Sequence, residues 1–379
     1  MTTDELPAAA WWVALAGLPA MGPARLGALW EAGAAEEAWD LVRSGRAHTL
    51  RPLAEVVGPG AATQAEAWAR ASGAVDVGAL WRRHRDRGIT VAVRGDGRMP
   101  TRLDEDLEPP VVLFGDGALG ATAGPTVAIV GTRRCTPAGA ELAHEIGRQC
   151  ARAGGRVVSG LAQGIDAAAH AGALAGGPGC APPVAVVGSG LDVVYPARSG
   201  PLWRRVAAAG VVLSEYPLGT PPGRWRFPAR NRLVAALADV VVVVESPRRG
   251  GSMYTVDEAL RRQRTVLAVP GSIRSAASAG TNWLLSQGAE VCSGADDVLV
   301  AAGLVAAPEE AAGVLDPRPR PRGDGARILR AIGWEPATLD AVAARTGLAL
   351  GPLAVALDQL EVDGWVDRRG GRIERRVSL

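Results

Sequence analysis

An α/β fold built on a Rossmann-like parallel-sheet core is predicted by three features of the sequence. Short apolar runs recur from residue 126 onward, helical stretches separate them, and the runs are apolar on both faces. The six expected strands cover residues 126–130, 156–159, 184–187, 211–213, 240–244 and 266–269. Their spacing of ~25 to 30 residues is the length of a βαβ unit, so a parallel sheet with helices on both sides follows.

The flanking segments have different patterns. Residues 1–85 place Trp and Leu at helical spacing between Gly/Pro breaks, which predicts a helical N-terminal domain. Within it, Leu18-Pro-Ala-Met-Gly-Pro-Ala-Arg25 forms a tight turn between two apolar segments. It resembles the helix–hairpin–helix family, whose turn offers N–H groups to a phosphate; an ordinary αα-corner fits as well. The core is expected over residues 86–304. Residues 305–322, ending in Pro317-Arg-Pro-Arg-Pro-Arg322, predict an extended Pro/Arg linker. Residues 323–379 then show three short helices and a hairpin about Gly370-Gly371, the layout of a winged helix. The last of those helices, residues 352–363, carries Asp358, Glu361 and Asp363 and no arginine, which argues against major-groove reading. The hairpin arginines, among them Arg368, Arg372 and Arg375, leave a backbone contact or a protein partner open.

Composition narrows the function. The 379 residues are 48% hydrophobic and 21% charged with a net charge of +2, so a nucleic-acid site must come from local clustering. There is no lysine, which excludes P-loop and Schiff-base chemistry. Cys135, Cys150, Cys180 and Cys292, with His48, His84, His144 and His170, give no zinc-ligand spacing, so neither metal nor cofactor is expected. Asp4 and Glu5 stand where a secretory signal needs basic residues, and no apolar run reaches about 18 residues. A cytoplasmic protein with no membrane span is the expectation.

The densest signal is Arg224-Trp-Arg-Phe-Pro-Ala-Arg-Asn-Arg232, four guanidiniums with interleaved aromatics and no acid. Arginine holds phosphate bidentately and an aromatic face stacks an unpaired base, which points to single-stranded nucleic acid. Four small-residue loops are expected at the same sheet edge, at the carboxyl ends of strands where open α/β sheets bind ligands. They are Gly131-Thr132-Arg133, Ser159-Gly160 with Gly164, Gly250-Gly251-Ser252, and Pro270-Gly-Ser272 with Asn282. None carries a dinucleotide fingerprint. Asp166 and His170 are four residues apart on one helix face, which fits a structural hydrogen bond or, less simply, an acid–base pair.

These motifs resemble the DprA/Smf family of bacterial DNA-processing proteins. The resemblance rests on Ile129-Val-Gly-Thr-Arg133, the stretch 159–170, Gly190-Leu-Asp-Val-Val-Tyr-Pro196, Ser214-Glu-Tyr-Pro217 and Phe227-Pro-Ala-Arg-Asn-Arg232. Gly251-Ser252, Ala268-Val-Pro-Gly-Ser272 and Gly280-Thr-Asn282 continue it in order. It implies a non-enzymatic homodimer that binds and shields incoming single-stranded DNA and loads RecA recombinase in transformation or recombination. It also implies phosphate contacts from Arg133 and from Arg230, Asn231 and Arg232. With Arg224, Arg226 and Phe227 and the glycine turns, these are the expected DNA-binding residues. One departure stands out: where the family continues Leu-Ile-Thr-Ala-Arg after Gly251-Ser252, this chain has Met253-Tyr-Thr-Val-Asp-Glu258. That stretch drifts toward a motif of the nucleoside-monophosphate phosphoribohydrolases. It raises the alternative of a nucleotide N-glycosidic bond hydrolase with Glu258 as its carboxylate, which needs a closed pocket holding Glu258.

Overall fold

The computed structural model describes residues 6–304, 321–332 and 336–376. The chain divides into two compact units, Met1–Ala307 and Pro308–Leu379. Residues 305–320 of the expected linker lie outside the described residues.

The first unit opens with helices α1 (Ala8–Ala16), α2 (Pro23–Trp30), α3 (Ala35–Arg43), α4 (Arg51–Val57), α5 (Ala61–Ser72) and α6 (Val77–Asp86). Helix α1 is apolar nearly all round because it is a core helix; Ala9, Ala10 and residues 12–16 are all buried. The turn between α1 and α2 is pinned by Trp68, whose Nε1 donates to the Pro19 carbonyl at 2.8 Å.

The sheet follows: β1 (Thr90–Val93), α7 (Thr101–Asp104), β2 (Val112–Gly117), β3 (Thr126–Val130), α8 (Pro137–Arg152), β4 (Arg156–Ser159), α9 (Ile165–Ala175), β5 (Val184–Val187), α10 (Gly200–Ala209) and β6 (Val211–Ser214). It is completed by α11 (Arg226–Leu237), β7 (Val240–Val243), α12 (Gly251–Arg261), β8 (Thr265–Ala268), α13 (Ala279–Ser286), β9 (Glu290–Val291) and α14 (Ala295–Ala301). The nine strands run β1-β2-β6-β5-β4-β3-β7-β8-β9. From β6 to β9 every pairing is parallel, while β1 and β2 add on antiparallel. The six strands expected from the apolar runs are β3 to β8. Strands β3, β5, β6 and β7 are buried along their whole length, which is why their sequence is unbroken apolar rather than alternating.

The N-terminal helices pack on the β1–β2 end of the sheet, in one core that joins Trp12, Leu15 and Trp39 with Val91, Val112 and Phe114. His84 locks that junction from α6. It is fully buried, its Nδ1 lies 2.8 Å from the Leu80 carbonyl, and its Nε2 accepts from the Leu218 N–H at 3.0 Å. Burial holds its pKa below the usual value, so it is the neutral ring, with Nδ1–H donating.

The second unit holds α15 (Gly323–Ile332), β10 (Ala337–Thr338), α16 (Leu339–Thr346), α17 (Leu350–Val362), β11 (Val366–Arg369) and β12 (Arg372–Arg375). Ile328, Leu353, Leu357 and Trp365 form its core. Gly370 and Gly371 both have positive φ, 59° and 75°, as a two-residue hairpin turn requires. This is the expected winged helix. Arg368 does not reach outward to a backbone: it is paired with Asp358 and Glu361 of α17.

Candidate nucleic-acid interface

In this sheet β3 leads to β4, β5 and β6 on one side, and the chain then crosses back to β7 on the other. The crevice between the carboxyl ends of β3 and β7 is the switch point at which open α/β sheets bind ligands. A cleft of about 640 Å³ opens there. Ten of the residues expected from the sequence line it: Gly131, Thr132, Arg133, Gly160, Arg224, Phe227, Arg230, Asn231, Gly251 and Ser252.

Arg230 forms the floor. It projects from the first turns of α11, is 6% exposed, and donates through Nε to Asn231 Oδ1 at 3.0 Å and through a terminal nitrogen to the Val186 carbonyl. Its guanidinium lies flat against Gly160; a Cβ there would stand 2.1 Å from both terminal nitrogens, so only glycine leaves it room. Among the described residues no carboxylate comes within 4.0 Å of it. Burial pulls its pKa down, and the charge of Asp166 partly offsets this. Asp166 is the only acid lining the cleft among the described residues, and it accepts from the Gly160 N–H at 3.1 Å. Its own pKa is raised by burial against the opposing pull of Arg230. His170 makes no hydrogen bond to Asp166, and burial pushes its pKa down to about 4. The acid–base pairing of the two therefore gives way to a loop-fixing role for Asp166 alone.

Above the floor, Arg133 is exposed and its guanidinium sits 5.2 Å from the centre of the Phe227 ring. Tyr195 flanks the same ring at 5.6 Å and is 45% exposed. Phe227 is half-buried between them and leaves part of its ring open to the cleft. Arg134 and Arg224 are also exposed on the rim. On the opposite wall α12 begins at Gly251 with no side-chain cap, so the Gly251 and Ser252 N–H groups can meet an anion, while that of Met253 is donated to the Gly250 carbonyl at 3.1 Å. Asn231 Nδ2 braces this wall by donating to the Gly251 carbonyl at 3.2 Å.

Four expected residues lie outside the cleft. Arg232 is turned inward: one terminal nitrogen donates to the Glu108 carbonyl at 2.6 Å and the other pairs with Glu215, both side chains being nearly buried. The expected phosphate contact from Arg232 is thus replaced by a structural ion pair, because two residues along α11 turn the side chain to the far side. Arg226 also leaves the cleft; it donates to the Pro221 carbonyl and lies over the Trp225 and Tyr216 rings. Ser159 is buried and donates to the Ile129 carbonyl at 2.6 Å, binding β4 to β3. Asn282 holds the loop at Gly271, donating to its carbonyl at 2.9 Å and accepting from its N–H at 3.1 Å. Asp257 and Glu258 do not line the cleft either, and Glu258 is paired with Arg261 at 3.1 Å and Arg262 at 2.5 Å. Tyr195 and Arg134 join the cleft without having stood out in the sequence; Tyr195 lies in Gly190-Leu-Asp-Val-Val-Tyr-Pro196, and only the fold brings it to Phe227.

Residues 90–303 match the family model of DNA recombination-mediator protein A, and residues 310–372 match that of the DprA winged helix domain. The protein Smf of Synechocystis is 34% identical over 77% of this chain and 82% of its own length. The putative DNA processing protein DprA of Mycobacterium tuberculosis is 41% identical over 69% of this chain and 68% of its own. Among solved structures, DNA processing protein A of Streptococcus pneumoniae superposes with a TM-score of 0.62 at 32% identity, covering 76% of this chain and 95% of that one. DNA processing protein A of Helicobacter pylori, whose structure concerns its single-stranded DNA binding mode, gives a TM-score of 0.51 at 31% identity over 56% of this chain and 94% of that one.

Proposed function

The chain belongs to the DNA recombination-mediator protein A (DprA/Smf) family, and from that premise we propose that its switch-point cleft binds single-stranded DNA. The observation that carries this reading is Arg230, a nearly buried guanidinium on the cleft floor with no carboxylate within 4.0 Å among the described residues. A buried charge needs a counter-charge, and a phosphate entering from solvent supplies one. Arg133, Arg134 and Arg224 extend the positive surface along the strand, and the uncapped start of α12 faces it. Phe227, braced by Tyr195 and Arg133, presents a ring to an unpaired base. A duplex has no unpaired base to offer.

In this reading the bound strand is shielded, passed to RecA recombinase, and no bond is made or broken; the working form is a homodimer. The hydrolase alternative needs a carboxylate in the nucleotide site. Glu258 stands outside the switch-point cleft and both of its carboxylate oxygens are held by Arg261 and Arg262, so it is not free to act as a catalytic carboxylate, which favours the binding function.

Anisotropy titrations of labelled oligo(dT) and of a blunt duplex, repeated across salt concentrations, test the proposal. Each phosphate neutralised on a single strand contributes about −0.7 to the log–log salt slope, so three or four arginine contacts give roughly −2 to −3. Equal affinity for the duplex, or a slope near zero, would remove the basis of the assignment.

A further inference from the structure

Trp225 and Phe227, two residues apart at the head of α11, line different clefts. Phe227 lines the one described above, whereas Trp225 lines a second of about 900 Å³ between that turn and the α1–α2 hairpin. Pro228 and Tyr254 line both, so the two clefts adjoin across a narrow ridge. The second cleft exposes aromatic surface: Trp225 is 48% and Tyr254 55% accessible. The indole is nevertheless held in place. It leans on the hairpin, where a Cβ on Gly22 would stand 3.2 Å from the ring, and the Arg226 guanidinium lies 4.8 Å from its centre.

The electrostatics of this second cleft also suit a phosphodiester. Its acids, Glu108 and Glu258, are both in ion pairs with Arg261, and Glu258 with Arg262 as well. Arg25, which donates to the Ala20 carbonyl at 2.8 Å, and Arg94, which lies over the Trp30 ring, both line it and have no carboxylate within 4.0 Å among the described residues. Flat, fixed aromatic surface beside guanidiniums that have no acid partner is the make-up of a stacking platform for nucleic acid.

Resting on the reading of the first cleft, we propose that the second is a further nucleotide station for the same single strand. The strand crosses the ridge at Pro228, stacks a base on Trp225, and sets its phosphates near Arg25 and Arg94. The hairpin of the N-terminal helices thereby becomes part of the DNA path.

The full-length chain is titrated with oligo(dT) of about 5 and about 15 nucleotides, lengths that bracket one and two stations. The variants are Trp225→Ala and Ala24→Glu, with Phe227→Ala as the control for the first cleft. Ala24 is exposed in the first turn of α2, where an acid suits the helix dipole, so that variant keeps its fold. Both second-cleft variants are expected to weaken binding of the longer strand about tenfold and of the shorter less than about twofold. Phe227→Ala is expected to weaken both lengths. Unchanged binding of the longer strand in both variants, or an equal loss at both lengths, overturns the second station while leaving the first cleft in place. Failure of the wild-type chain to bind either length overturns the first reading together with this one.

Discussion

Replacing Arg232 with alanine removes one member of a nearly buried ion pair and leaves the Glu215 carboxylate facing apolar surroundings. The two side chains are 9% and 5% exposed, and one Glu215 oxygen already has no hydrogen-bond partner. Removing one partner from such a pair costs about 3–5 kcal/mol, because the remaining charge is desolvated without compensation. At about 2 °C per kcal/mol for a unit of this size, Tm falls by roughly 6–10 °C. Glu215 also sets a pH signature. Burial already raises its pKa, with Arg232 opposing, so loss of the arginine raises it further. An acid whose folded pKa exceeds its unfolded value binds protons preferentially in the native state, and stability then falls as pH rises. The penalty of Arg232→Ala is therefore smallest near pH 5 and grows towards pH 8, and Glu215→Gln in the same chain recovers much of it. Differential scanning fluorimetry at several pH values, paired with oligo(dT) titration, is the assay. The folded variant should bind oligo(dT) of about 5 nucleotides, short enough to engage the switch-point cleft alone, with a salt slope equal to that of the wild type. An unchanged Tm with a tenfold weaker affinity and a flatter slope would show that Arg232 is a phosphate ligand after all, and the structural assignment would be wrong.

The other predictions concern the cleft and the tail. Phe227→Ala should cost about 1–3 kcal/mol of single-strand affinity with little change in salt slope, and Tm should fall far less than the loss of a core ring produces; a large Tm drop with binding intact would make Phe227 a packing residue. Gly160→Ala, with its Cβ 2.1 Å from the present guanidinium nitrogens, should displace Arg230 and flatten the salt slope by about 0.7; an unchanged slope would mean that Arg230 touches no phosphate. Deleting residues 323–379 should leave most single-strand affinity in the first unit, since α17 is acidic and Arg368 is paired with Asp358 and Glu361; loss of binding by a folded truncation would move the main site to the winged helix.

The parallel sheet was legible because strands covered on both faces leave unbroken valine runs such as residues 240–243, repeated at the spacing of βαβ units. Strand β9, two exposed residues long, has no such pattern. β1 and β2 gave no recurring period because they join the sheet antiparallel, outside the βαβ rhythm. The hairpin of the second unit was legible from Gly370-Gly371 alone, since few residues other than glycine accept both positive φ angles.

The site was legible as a set of loops but not as a set of directions. A run of four arginines in nine residues reads as one basic surface when written in a line. Folded at the start of α11, the same run divides by helical geometry: Arg230 points to the cleft, Arg232 into the core, and Arg226 onto Trp225 and Tyr216. Charge density in sequence therefore does not give the number of arginines that face the switch-point cleft, and those turned away from it are the ones with a hidden acid or ring to meet. Glu215, Tyr216 and Glu108 lie far enough along the chain that no local pattern links them to the cluster. The aromatics follow the same logic in reverse. Trp225 and Phe227 read as two elements of one stacking surface, and the turn sends them to adjoining clefts. A strand contacting both would have to cross the ridge between them, so what looked in sequence like redundancy is, in space, two separate surfaces.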